Sequence, residues 1–337
     1  MSTEDSTNLN ALVRVSAPAR LHLGFLDLNG SSGRQFGSIG LAIDSHKTTV
    51  EIRRSNALQI IPNEKSAQLS KLLERFYNTI GQSIPKNDRM IELNLVEAIP
   101  EHAGFGSGTQ LALVIATALC RLYAIDLTTA QIAQQMGRGA RSGIGIATFD
   151  LGGLIVDGGS AIESTCSTPP VLAHHHYPEN WRIVLIMDSS DQGVHGEQEL
   201  AAFKNLAQFP LSESQAICHL TLMKLLPALV EQNINDFGAS ITAIQALIGD
   251  HFAPAQGGRY TSSAVAALLE TAQKLDNKGI AQSSWGPTGC VFMENEHSAQ
   301  QLIDALTKYS EAQQFSTISF SVVSANKNGA KIEIIKQ

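Results

Sequence analysis

A chain of 337 residues, 43% of them apolar, can bury a sizeable core and is too hydrophobic to be disordered. Charged residues make up 16%, against roughly 25% in an average soluble protein, and the net charge is −7. That balance excludes a basic nucleic-acid binder and gives no general attraction to anionic lipid, so any anion site has to be built locally. The length suggests two domains of roughly 150 residues each. The sparse charge leads to the expectation of a homodimer that hides part of its surface. No apolar run approaches the roughly 20 residues of a membrane span; the longest lies around Leu111–Ala116. The polar start MSTEDSTNLN is neither a signal nor a basic transit peptide. Cys120, Cys166, Cys218 and Cys290 lack CxxC spacing and read as reduced thiols, so a cytoplasmic protein is expected.

ALVRVSAPARLHLGF reads as an extended stretch interrupted by Pro18, and TTVEIRRS and MIELNLVEAI alternate as strands do. SAQLSKLLERFYNTIG between them has helical spacing. The spacing predicts a buried helix over Thr109 to Ile125, and a short one in LTTAQIAQQMGRG with a threonine cap and a glycine stop. GGLIVDGG is a brief buried strand. Ser160 to Asn180 turns irregular, and the boundary between residues 1–178 and 179–337 is placed there. Its HHHYP tract lacks the spacing of a zinc site. WRIVLIMDSS, CVFME, FSTISFSVVSA and KIEIIK read as strands; Ser212 to Leu229, Asp236 to Gly249, VAALLETAQKL and SAQQLIDALTKYS read as helices. An α+β or α/β sandwich follows from that alternation.

Of the 27 glycines, 11 fall between Glu101 and Ser160. Such clustering marks backbone that passes close to something or turns through positive φ. IPEHAGFGSGTQ runs from a strand into the apolar helix, where free N–H groups and the helix dipole make an anion site suited to phosphate or pyrophosphate. It is neither a Walker loop nor a GxGxxG fingerprint, and the plain alternative is a turn capped by Ser107.

Pro100, Gly104, Gly106 and Ser107, together with VSAPARLHLGF and SSWGPTG, resemble the motifs of the GHMP small-molecule kinase superfamily. Kinases of the mevalonate kinase type read SGIDNAVSTWGG where this chain reads SGIGIATFDLGG, so Gly145 stands in place of the aspartate that serves them as base. Asp150 lies five residues further on and needs a different backbone path to substitute. RLHLGFLDLNG, GFGSGTQ, GRGARSGIG, FDLGGLIVDGG and SSWGPT together resemble a non-kinase branch, the β-ribofuranosylaminobenzene 5′-phosphate synthases. The resemblance implies a two-domain α+β sandwich, with an N-terminal ribosomal-protein-like β-α-β domain and a C-terminal ferredoxin-like domain. It implies joining of phosphoribosyl pyrophosphate to 4-aminobenzoate, or 4-hydroxybenzoate, with release of carbon dioxide and pyrophosphate. Mg²⁺ and a place in tetrahydromethanopterin biosynthesis come with it; an ATP-dependent kinase is the alternative.

On that resemblance Gly104, Gly106, Ser107, Gly108, Thr109 and Gln110 are expected to cradle pyrophosphate. Arg20, Arg138 and Arg141, with Ser142, are expected to hold phosphate or carboxylate, since a guanidinium binds either in a bidentate way. Arg138 and Arg141 also fit a solvated helix end. Asp27 is expected beside the cation-like ribosyl centre or on Mg²⁺, with a turn-forming aspartate before Asn29-Gly30 as the plain reading. His22 shares a strand face with Arg20 and suits the aromatic amine, a phosphate or a place in the core. Ser284, Trp285 and Thr288 are placed near the loop by analogy, with Trp285 either stacking on the ring or simply packed. Glu197 in GVHGEQE is a second candidate for Mg²⁺.

Overall fold

The computed structural model describes residues 11–163, 168–191, 193, 206–275 and 279–336. The chain opens with two long antiparallel strands, β1 (Ala11–Asp27) and β2 (Arg34–Arg54). Pro18 does not end β1. It sits at a register shift opposite Lys47, where a missing N–H leaves no gap in the ladder. Most of β2 escapes the alternation rule because its first half, with Gly37 and Gly40, is buried on both faces.

β3 (Gln59–Ile60), α1 (Ser66–Asn78) and β4 (Ile91–Glu97) follow, and β4 pairs with the second half of β2. Next come α2 (Ser107–Leu122), α3 (Thr129–Gln135) and α4 (Ile144–Leu151). The threonine cap of α3 is Thr128, in a capping box with Gln131. α4 falls in the SGIGIATFDLGG stretch, where Ile144, Ile146 and Phe149 are buried on more than one side and blur helical periodicity.

β5 (Leu154–Asp157) pairs with β2, as does the short β6 (Ser160–Ala161), and β7 (Val171–His175) pairs with β5. The stretch taken as irregular therefore contains a strand, and His174 and His175 point to opposite faces of it. No group of three metal-ligating side chains occurs among the described residues.

The second sheet is antiparallel in the order β11-β8-β10-β9, from β8 (Arg182–Asp188), β9 (Ile280–Gln282), β10 (Thr288–Met293) and β11 (Ile318–Val323). It is flanked by α5 (Leu211–Leu220), α6 (Leu226–Val230), α7 (Ile234–Gln256), α8 (Ser263–Lys274) and α9 (Glu296–Ala312). The last strand, β12 (Lys331–Lys336), returns to the first sheet and pairs with Ala11 to Ser16 of β1.

One hydrophobic cluster joins the two halves. It runs from Leu21, Leu23 and Leu41 of the first sheet to Ile183, Phe237, Ile241 and Phe292 of the second half. A second cluster packs α1 and α2 on β1, β2 and β4, and a third packs α8 and α9 on the second sheet. No helix among the described residues is long and apolar enough to cross a membrane.

α4 sits tight on β2 because Gly40 has no side chain. A Cβ there would fall on the buried Ile144 side chain, whose own Cβ lies 3.1 Å from it. Overpacking of this kind costs about 1–3 kcal/mol. Gly40→Ala is expected to lower the urea unfolding free energy by that amount, whereas Gly258→Ala, where an added Cβ meets nothing closer than 3.6 Å, is expected to stay within about 0.5 kcal/mol of the parent. Equal midpoints for the two variants would refute the packing argument.

Candidate active site

Three segments far apart in sequence meet at one point. The Ser283 hydroxyl accepts from the His22 N–H at 3.0 Å and donates to the Gly104 carbonyl at 2.8 Å. Ser284 N–H donates to the His22 carbonyl at 3.0 Å. Arg20 donates from Nη1 to the Gly104 carbonyl at 2.5 Å, and its N–H donates to the Phe105 carbonyl at 3.1 Å. Side chains are excluded where these backbones cross. A Cβ on Gly104, at φ +83°, would fall on the Ser283 carbonyl oxygen, and one on Gly286 on the Gly104 backbone. Two non-glycine residues at the crossing, His102 (φ +59°) and Ser284 (φ +57°), are held in the left-handed region, a strain that clusters at functional sites.

Above the crossing lies a cleft of about 410 Å³. Gly104, Gly106, Ser107, Gly108 and Thr109 form one wall, Arg20 and Arg138 stand over it, and Ser284, Trp285 and Gly286 close the far side. Gly106, at φ +77°, is the residue from which α2 starts, and no side chain caps that end. Ser107 is thus the first helical residue and not a cap, and the first N–H groups of α2 have no intrahelical acceptor. The Arg20 guanidinium lies against Gly106, where an added Cβ would approach Cζ to 3.0 Å. Arg138 is largely desolvated and its Nε has no hydrogen-bond partner among the described residues. Burial and the nearby Arg75 both lower its pKa. A guanidinium short of water and next to another cation gains free energy when an anion arrives. The cleft carboxylate, Glu101, is bound by Lys65 at 3.0 Å.

His22 is 5% exposed. Burial, then the positive charges of Arg20 and Arg141, push its pKa down to about 3, so the imidazole is neutral at working pH. Arg20, His22 and Arg141 are therefore brought together. Ser142 and Gly143, the loop that carries Arg141, are anchored by a residue that the sequence reading treated only as part of a strand. Asp157, fully buried, accepts from the Gly143 and Gly159 N–H groups, each at 2.9 Å. Burial pushes its pKa up to about 6 against these bonds.

Other expected residues stand elsewhere. Asp27 does not line the cleft; its carboxylate accepts from the N–H groups of Asn29 at 2.8 Å and Gly30 at 3.1 Å, closing the turn. Gln110 is buried below the cleft floor and donates to the Gly145 carbonyl at 2.8 Å. Thr288 is buried at the start of β10. Glu197 lies outside the described residues. Gly145 packs α4 against the start of α2, with an added Cβ meeting Thr109 Cγ2 at 3.0 Å. Asp150 faces away from the cleft and accepts from the Thr129 hydroxyl at 2.5 Å.

Family models agree with this architecture in two places: the GHMP kinases N terminal domain matches residues 68–153 and the GHMP kinases C terminal domain matches residues 225–312. Among solved structures, galactokinase from Lactococcus lactis superposes with a TM-score of 0.72 at 16% identity over 95% of both chains. Homoserine kinase from Cytophaga hutchinsonii gives 0.68 at 18% identity, over 99% of this chain and 100% of that one. These likenesses define a GHMP-type fold. A beta-ribofuranosylphenol 5′-phosphate synthase from Archaeoglobus fulgidus is 32% identical over 333 residues, covering 96% of this chain and all of the relative. Another, from Methanocaldococcus jannaschii, is 31% identical over 88% of this chain and 94% of its own. The chain belongs to the β-ribofuranosylphenol 5′-phosphate synthase family.

The two perturbed groups act on stability in opposite senses. Below pH 6.5 the unfolded chain takes up a proton that folded His22 refuses down to about 3, so stability falls as pH drops through that window. Asp157 takes up a proton in the folded state near pH 6, and the unfolded chain does so only near 3.8, so its contribution rises as pH drops across that range. Asp157→Asn removes only the second contribution. Its unfolding free energy is expected to fall more steeply than the parent's between pH 6 and pH 4; parallel slopes would mean that Asp157 is not buried as a carboxylate.

Proposed function

We propose that the protein joins the ribosyl 5-phosphate of phosphoribosyl pyrophosphate to the ring of a 4-substituted benzoate, with loss of pyrophosphate and carbon dioxide. The observation that carries this reading is the relation to the named synthases along nearly the whole chain, 96% in the best-covered case. The cleft supports it with donors for a diphosphate, and the chain has a glycine at position 145 in place of a base. Because the relatives' name ends in a phenol, 4-hydroxybenzoate is the first acceptor to test and 4-aminobenzoate the second. Such a C-riboside suits tetrahydromethanopterin biosynthesis.

In this reading the N–H groups at the start of α2, the Ser107 and Thr109 hydroxyls, Arg20 and Arg138 receive the diphosphate. Fixed donors of this kind stabilise charge that develops on a leaving group without having to reorganise. The ribose C1–O bond breaks and its electron pair leaves with pyrophosphate. The ring carbon that carries the carboxylate supplies the pair for the new C–C bond. The bond to the carboxylate then breaks, its electrons restore the aromatic ring, and CO₂ departs. No proton has to be removed from an acceptor hydroxyl, and no oxidant or ATP enters. A carboxylate base at position 145 has no part in that sequence, and a Cβ added there would meet Thr109 Cγ2 at 3.0 Å, tighter than an ordinary contact.

The described residues do not gather a cage for Mg²⁺: Glu101 is committed to Lys65, and Asp27 to its turn. The ion therefore belongs to the proposal as a counter-ion carried by the diphosphate oxygens, where it would offset their charge. The kinase reading lacks its base at Gly145, and Asp150 cannot replace it from the opposite side of α4.

With phosphoribosyl pyrophosphate, 4-hydroxybenzoate and Mg²⁺, the protein is expected to release CO₂ and form an aryl riboside phosphate in equal amounts, without ATP. Mass spectrometry and CO₂ trapping read the two. Arg138→Ala is expected to raise KM for phosphoribosyl pyrophosphate at least tenfold and leave KM for the benzoate unchanged. Consumption of ATP with an alcohol acceptor, and no riboside, would overturn the reading.

A further inference from the structure

Arg138 lines two cavities. One is the cleft, and the other is a groove of about 520 Å³ whose polar side chains are Lys71, Glu74, Arg75, Asn78 and Arg138. Lys71, Arg75 and Asn78 are four and three residues apart on α1, so one face of that helix presents them together. The turn that ends α3 forms the other wall. In it Gly137, at φ +67°, donates its N–H to the Gln134 carbonyl at 3.0 Å, and Arg138 donates its N–H to the Ala133 carbonyl at 2.7 Å. The left-handed turn favours a glycine, and the space left without a side chain is where Arg75 lies: a Cβ on Gly137 would fall on the Arg75 guanidinium. Arg75 Nε donates to the Gln135 carbonyl at 3.0 Å, which fixes the guanidinium against the turn. The Arg138 guanidinium lies over Gly108 at the start of α2, where an added Cβ would approach its Nη1 to 3.6 Å.

Three cations and one carboxylate, Glu74, thus line the groove. Among the described residues no ion pair joins Lys71, Arg75 or Arg138 to a carboxylate. The carbonyls at the end of α3 account for one donor, Arg75 Nε on Gln135, and leave both Nη groups of Arg75 without an acceptor among the described residues. After burial, it is the charge of Arg75 that lowers the pKa of Arg138, so the two guanidiniums act on each other through partly dry protein. Like charges kept together without a counter-ion favour an anion that lies between them. The synthase reading offers two anions besides the diphosphate: the phosphate monoester on ribose C5 and the carboxylate of the acceptor. The carboxylate departs as neutral CO₂. A cation held against it would stabilise the ground state more than the transition state and slow the step. The monoester keeps its charge throughout, and cations can hold it without opposing the reaction.

We propose that the groove of Lys71, Arg75 and Arg138 receives the 5-phosphate of phosphoribosyl pyrophosphate, with Arg138 set between the two anionic ends of the substrate. The proposal rests on the synthase reading above. The ribose is a short bridge, so the sites for its two ends have to adjoin, and the cleft and the groove adjoin at Arg138. Arg75 brings a fixed fork with two free Nη groups, a match for two oxygens of a phosphate, and Lys71 adds a point charge one helical turn earlier. A phosphate held at this end orients ribose C1 for attack without itself reacting. Because its charge is the same in the ground and transition states, losing its contacts raises KM and leaves kcat nearly as it was.

The test uses the full-length protein, with ribose 5-phosphate, ribose and pyrophosphate as competitors of phosphoribosyl pyrophosphate. In the parent, ribose 5-phosphate is expected to inhibit at least tenfold more tightly than ribose. Arg75→Gln changes an exposed residue of α1. It is expected to raise KM for phosphoribosyl pyrophosphate and the inhibition constant of ribose 5-phosphate at least tenfold. The kcat, KM for 4-hydroxybenzoate and the inhibition constant of pyrophosphate are expected to stay within about threefold of the parent. Lys71→Gln is expected to move the same two constants in the same direction. Glu74→Gln removes the carboxylate from the groove and is expected to lower both, a gain that misfolding does not produce. If Arg75→Gln weakens pyrophosphate as much as ribose 5-phosphate, the groove serves the diphosphate and the proposal fails. If KM for the benzoate rises instead, the groove holds the carboxylate and the proposal fails likewise. If all three variants keep the parent's constants, the monoester binds elsewhere, although riboside formation still stands. If the parent forms no riboside from either 4-hydroxybenzoate or 4-aminobenzoate, the synthase reading fails and takes this proposal with it.

Discussion

The site depends on a backbone crossing with no side chains in it. Gly104 and Gly286 come from opposite halves of the chain: a Cβ on Gly286 would fall on the Gly104 backbone, and one on Gly104 on the Ser283 carbonyl. The Ser283 hydroxyl fastens the crossing, since it accepts from β1 and donates to the glycine loop in the same place. Through it, the strand that carries Arg20 and His22, the loop that opens α2 and the segment that carries Ser284 and Trp285 are held at fixed separations. A shift in any one would move the others, because each supplies a donor or acceptor that the next one uses. The large hydrophobic cluster beneath gives the crossing a rigid base, as it is shared by both sheets.

That arrangement also sets the electrostatics of the cleft and of the histidine behind it. On the cleft side, the helix start, Arg20 and Arg138 face open space, and the carboxylate nearby is neutralised by Lys65. Anions are favoured there although the whole molecule is acidic, because the donors are few, close and partly dry. Behind it, burial first and the Arg20 charge second keep the His22 imidazole neutral. Arg20 thereby belongs both to the anion site and to the surroundings that keep His22 neutral.

Much of this was legible in the sequence. The glycine loop, α1, α2 and α3, the strands β8, β10 and β11 and the grouping of Arg20, His22, Ser284 and Trp285 were readable from local pattern and family motif; the three-residue β9 was not. What was hidden has identifiable causes. Most of the first half of β2 and residues 144–149 of α4 are buried on several sides, so neither alternation nor helical periodicity survives in them. Asp27 could not be assigned from its type, since a carboxylate before Asn29-Gly30 serves a turn as readily as a site, and the turn holds it here. Asp157 was missed because an aspartate at a strand end before two glycines looks like ordinary turn chemistry.

The glycine at position 145 then takes on a physical meaning. A phosphoryl transfer to a hydroxyl must dispose of a proton, and a fold that performs it has reason to keep a carboxylate beside the acceptor. A carbon nucleophile that loses CO₂ leaves no such proton, and its demand is for charge stabilisation at two places, the departing diphosphate and the ring substituent that shares the developing positive charge. The first is met by the start of α2 and the arginines over it. On the proposed function the same two-sheet framework accommodates both chemistries, because the crossing of Gly104, Gly286 and Ser283 fixes the cleft that would receive the diphosphate. The residues on either side of that point decide what attacks it.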